Sequence, residues 1–74
     1  MKTYHFHGLT SEGAEHLAEE LAEEGLETSI LPPGTRPVSG WAVEAEGDGF
    51  EESMMEVLAH FFGGTYEGED LAGA

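Results

Sequence analysis

Only Lys2 and Arg36 carry a strong positive charge in this chain, against sixteen carboxylates, which gives a formal net charge of -14. Most of those carboxylates have no basic partner within the chain. Their mutual repulsion works against any compact state, and salt relieves it. A fold built from this sequence must therefore set its glutamates on outer faces and keep its apolar residues for one core.

The remaining composition narrows the choice further. At 74 residues the chain suits one domain, close to the size at which a single core becomes marginal. It has no cysteine, so disulfides and thiolate metal sites are excluded as substitutes for a larger core. No apolar run approaches the length of a membrane span, and a cytoplasmic setting is the default expectation. Direct binding to DNA, RNA or an anionic membrane is disfavoured, because each phosphate contact needs a cation that the chain lacks. What remains is a basic protein partner, imitation of nucleic acid, adaptation to high salt, or plain solubility.

Periodicity supplies the elements. Thr3 to His7 alternates, with Tyr4 and Phe6 on one side and His5 and His7 on the other, which predicts a short strand. Thr10 or Ser11 can cap a helix from Glu12 to Glu24, where Ala14, Leu17, Ala18, Leu21 and Ala22 fall at helical spacing. Gly25 stops that helix, and Leu26 to Leu31 reads as a second strand. A proline-rich loop from Pro32 to Gly40, carrying Arg36, leads into a third strand from Trp41 to Glu46. Asp48 and Glu51 form a capping-box signature for a second helix over about Phe50 to Phe62. Its apolar face is expected at Phe50, Met54, Val57, Leu58 and Phe61, with Met55 and Phe62 off centre. Gly63-Gly64 ends it, Thr65 to Glu67 makes a brief last strand, and 69–74 is expected to be a flexible tail after a single domain at 1–68.

The order β-α-β-β-α-β predicts an α+β, ferredoxin-like split sandwich: an antiparallel sheet with two helices on one face. In it Tyr4, Phe6, Trp41 and Val43 face the helices, while His5, His7, Glu44 and Glu46 line the open face. His5, His7 and Glu44 make a conceivable metal set, but imidazoles among solvated carboxylates are the commoner explanation, so neither metal nor cofactor is expected. Nothing fixes a nucleophile or an acid-base pair, and no glycine pattern cradles phosphate, so the chain does not read as an enzyme. RNA binding through the sheet is disfavoured as well, since its open face carries histidine and glutamate where stacking aromatics are needed.

Three segments carry a family resemblance: the Ala/Leu/Glu helix ending in Glu24-Gly25-Leu26, the strand Gly40-Trp41-Ala42-Val43-Glu44, and Leu58-Ala59-His60-Phe61-Phe62-Gly63-Gly64-Thr65-Tyr66-Glu67-Gly68. Together they resemble the RraB family, protein inhibitors of ribonuclease E. The family's closing Gly-Gly, Tyr-Asp-Gly-Trp stretch is matched in part, with Glu67 at the Asp position and Glu69 where the Trp stands. The resemblance implies an acidic, non-catalytic, protein-binding regulator.

The expected function is thus an inhibitor or adaptor that docks a basic surface of a larger protein, such as a nuclease or another nucleic-acid-binding enzyme. The expected contacts are Glu12, Glu15, Glu19, Glu20 and Glu23 on the first helix, Glu51, Glu52 and Glu56 on the second, and Trp41 as an apolar anchor. The alternatives are a phage-type nucleic-acid mimic and a metal- or ligand-responsive module. A homodimer across an exposed sheet edge stays open.

Overall fold

Alternation and helical spacing build six elements in the computed structural model, which describes residues 2–34 and 39–71. They are β1 (Lys2–Leu9), α1 (Ser11–Glu23), β2 (Glu27–Leu31), β3 (Trp41–Gly47), α2 (Glu52–Phe61) and β4 (Thr65–Leu71). Arg36 and its neighbours in the loop, and the final three residues of the expected tail, lie outside the described residues.

The four strands form one antiparallel sheet in the order β2-β3-β1-β4. β1 is central, with Tyr4 opposite Ala45, His5 opposite Glu44, and Phe6 opposite Val43. On its other side Phe6 faces Tyr66 and His5 faces Gly68, so Glu67 is the extra residue of a bulge. The strand expected to end at Glu67 continues to Leu71, because Lys2, Thr3 and Tyr4 supply it with backbone partners. Residues 69–71, expected in a tail, therefore belong to the sheet.

One cluster forms the core and joins strands to helices. Tyr4, Phe6, Leu9, Val43 and Ala45 meet Ala14, Leu17, Ala18 and Leu21 of α1, Met55 and Ala59 of α2, and Leu26. Both helices consequently cover the same face of the sheet. Trp41, Phe50, Leu58, Phe62 and Tyr66 are half-buried against it. No polar or charged residue is buried among those described, as the surplus of unpaired carboxylates requires.

The two helices end alike. Leu26 N–H donates to Leu21 O at 3.1 Å and Gly25 N–H to Ala22 O at 3.0 Å, while Gly64 N–H donates to Ala59 O at 2.8 Å and Gly63 N–H to His60 O at 3.1 Å. These are paired Schellman closures, and each turns on a left-handed glycine, Gly25 at φ 97° and Gly63 at φ 80°. The first also explains why β2 starts at Glu27 and not at Leu26: the Leu26 amide is already committed to the helix. At the front of α1, Thr10 is the N-cap and its hydroxyl accepts from Gly13 N–H at 3.0 Å.

The second helix departs from expectation in two ways. It starts at Glu52, with Glu51 and not Asp48 at the N-cap, and no side chain caps it there. Phe50 is held outside the helix, its carbonyl accepting from the Tyr4 hydroxyl at 3.1 Å. The buried face is also rotated by one residue, roughly 100° around the helix. Met55 and Ala59 are buried and Leu58 and Phe62 half-buried, whereas Met54, Val57 and Phe61, expected in the core, are exposed.

Candidate interaction surface

The rotation of α2 defines the most distinctive surface of the molecule. Met54, Val57 and Phe61 recur at i, i+3 and i+7 and form an apolar stripe along the solvent side of the helix. Their exposures are 37 %, 68 % and 78 %. A stripe of large side chains left in water forgoes roughly 1.5–3 kcal/mol of transfer free energy for each one that could be buried. Phe61 is stiffened by an edge-to-face contact with Phe62, whose ring lies 5.0 Å away at 82°.

Toward α1 the stripe opens into a groove of about 330 Å³ lined by Glu20, Val57, Leu58, Phe61 and Phe62. Glu20 is thus the acidic rim of an otherwise apolar depression. The outer face of α1 continues the charge: Glu12, Glu15, Glu19 and Glu23 are all exposed, and so are Glu51, Glu52 and Glu56. The Tyr66 hydroxyl donates to Glu52 Oε1 at 3.3 Å, which fixes that carboxylate on the β4 side of α2 and away from the groove. The expected acidic contacts are therefore all at the surface, although they do not share one patch.

Trp41 lies elsewhere. It is half-buried on β3 against the core, across from Leu9, and takes no part in the groove. Met54, Val57 and Phe61 are the residues that sequence reasoning assigned to the core and thereby missed as surface. A signal for them does exist. Met54-Met55, Val57-Leu58 and Phe61-Phe62 are adjacent apolar pairs, and neighbours 100° apart around a helix cannot all face one core.

The open face of the sheet carries His5 and His7. His5 Nδ1 lies 3.2 Å from Glu44 Oε2, and the two residues are directly opposed across β1 and β3. His7 is half-buried two residues further along, with its Nδ1 atom out of contact with water. Among the described residues no three His, Cys, Asp or Glu side chains converge as a metal site. On the same face Glu27 stands directly opposite Glu46, a like-charge pair with no gain for the sheet.

No family model, no curated protein and no solved structure matches this chain. Among the described residues no helix is long and apolar enough to cross a membrane.

Proposed function

We propose that this chain is a non-catalytic, acidic protein-binding module, a regulator or inhibitor that docks a basic surface of a larger protein. The observation that carries the proposal is the exposed Met54–Val57–Phe61 stripe beside Glu20, set in a molecule of net charge -14. An apolar centre gives a docked partner its affinity, and the surrounding negative field speeds encounter and selects against acidic surfaces. A second copy of this chain is a poor occupant, since each copy carries a net charge of -14.

The same stripe argues against imitation of nucleic acid. A mimic needs carboxylates spaced like successive phosphates along a strip, and a row of Val and Phe side chains interrupts any such strip on α2. The strand order β2-β3-β1-β4, antiparallel throughout with both helices on one face, supports reading the fold as a ferredoxin-like split sandwich. Likeness to the RraB inhibitors points to the same kind of work, in a cytoplasmic setting, with a nucleic-acid-processing enzyme as the natural class of target.

The test is affinity purification of the partner from the native host, followed by binding of the purified partner to the wild-type chain and to a Val57→Ser/Phe61→Ser variant. The expected result is at least tenfold weaker binding by the variant, together with an association rate that falls as salt rises. A partner that binds both forms equally overturns the assignment of the surface, one whose association ignores salt overturns the electrostatic mechanism, and one released by duplex DNA or RNA makes the protein a mimic.

A further inference from the structure

A second groove lies on the opposite flank of α1, and its geometry suits a different shape of ligand. It has a volume of about 440 Å³ and runs between α1 and β2, with Ala18, Ala22, Thr28 and Ile30 as its floor and Glu15, His16 and Glu19 along its helical wall. Thr28 and Ile30 sit opposite Ala45 and Val43, so they belong to the helix-covered side of the sheet. β2 is an edge strand, and among the described residues no further strand pairs with its outer side. Ile30 is 38 % exposed there. A groove bounded by an open strand edge on one side and a helix on the other is the geometry in which an extended segment adds to a sheet.

The spacing of the wall specifies the segment. Glu15 and Glu19 are four residues apart, which places them about 6 Å apart along the helix axis. Alternate side chains of an extended strand repeat at about 6.6–6.8 Å. Cationic side chains at every second position of an added strand therefore keep step with the two carboxylates. The small side chains of Ala18 and Ala22 leave room for aliphatic stems to lie on the groove floor while their charged heads reach Glu15 and Glu19. Arginine suits this best, because its planar fork pairs with carboxylates in two parallel hydrogen bonds.

We infer that the α1–β2 groove binds an extended segment of a partner protein with arginine or lysine at alternate positions, added to the sheet along β2. A second copy of the chain does not fit the description, because its own β2 brings Glu27 and no cation. This surface is separate from the Met54–Val57–Phe61 stripe, so each can fail without the other.

The probe is a synthetic peptide of about ten residues, a long strand by ordinary measure, with Arg and Thr alternating. It is compared at moderate salt with a peptide of identical composition whose arginines stand in one block. The alternating peptide is expected to bind at least tenfold tighter and to slow amide exchange at alternate residues of β2. N-methylation of alternate peptide bonds, in one of the two possible phases, is expected to abolish binding without changing peptide charge. Ala22→Trp, which fills the groove from an exposed position, is expected to weaken binding by a similar factor, whereas Phe61→Ser leaves it unchanged. Equal binding of the two peptides, no binding by either, indifference to N-methylation in both phases, unslowed β2 amides, or self-association of the chain through β2 each overturns the inference. The N-methylated peptides leave the protein itself untouched, so this result does not depend on how well any variant folds.

Discussion

Tyr4 and Phe50, 46 residues apart in sequence, are joined twice: the Tyr4 hydroxyl donates to the Phe50 carbonyl at 3.1 Å, and their rings meet edge to face at 6.4 Å. The link ties the central strand to the approach to α2 and stops the helix from extending back through Phe50. Tyr4→Phe keeps the ring contact and removes the hydrogen bond, leaving a partly buried carbonyl without its donor. The expected cost is about 1 kcal/mol, read as a lower midpoint in urea unfolding with an unchanged slope.

The rotated face of α2 separates two adjacent methionines. Met55 is fully buried and Met54 is exposed. Met55→Ala is expected to cost about 2–5 kcal/mol through lost burial and the cavity left behind, and Met54→Ala less than about 1 kcal/mol. Thermal unfolding of the two variants side by side checks this, and the opposite ranking would restore the face expected from sequence.

Gly13 lies where the first turn of α1 passes the end of α2. A methyl group built on it would stand 2.9 Å from the Phe62 carbonyl oxygen and 3.2 Å from Thr10 Oγ1. Helix propensity alone would favour Ala over Gly by up to about 1 kcal/mol. The contact reverses the sign, so Gly13→Ala is expected to destabilise the fold by about 1–2 kcal/mol, as overpacking does. Chemical denaturation decides between the two signs.

Glu27 and Glu46 face each other across β2 and β3. Replacing Glu27 with Lys turns a like-charge pair into an opposite-charge pair and reduces the net charge. A gain of about 0.5–1 kcal/mol at low ionic strength is expected, shrinking as salt is added. For the wild-type chain, raising salt from low millimolar to about 0.5 M is expected to raise the melting temperature by about 5 °C, the equivalent of ~1 kcal/mol for a domain this small. Calorimetry across a salt series measures both effects.

The sheet and the first helix were legible because each states one period without ambiguity. Tyr4-His5-Phe6-His7 alternates cleanly, and the apolar residues of α1 occupy a single stripe among glutamates. α2 was not legible at the same level, since its paired apolar residues offer two stripes of nearly equal hydrophobicity. Packing made the choice: Ala59 is small enough to approach the core, and Met55 is flexible enough to fill it. The span of β4 was hidden for another reason, because Gly68, Glu69 and Asp70 have little strand propensity and are ordered as a strand only by lying along β1. The surface glutamates were legible as surface. Their division between two grooves was not, since it depends on where α1 sits between β2 and α2.

The central place of β1 also bears on how the chain is made. A ribosome produces β1 first, yet both its edges wait for strands that begin at Trp41 and Thr65. At about 5–20 residues per second that wait lasts several seconds, during which Tyr4 and Phe6 have no sheet to join. The glutamate-rich segment made next carries the same charge in every copy, and charged residues flanking an apolar strand disfavour its pairing with another copy while it waits.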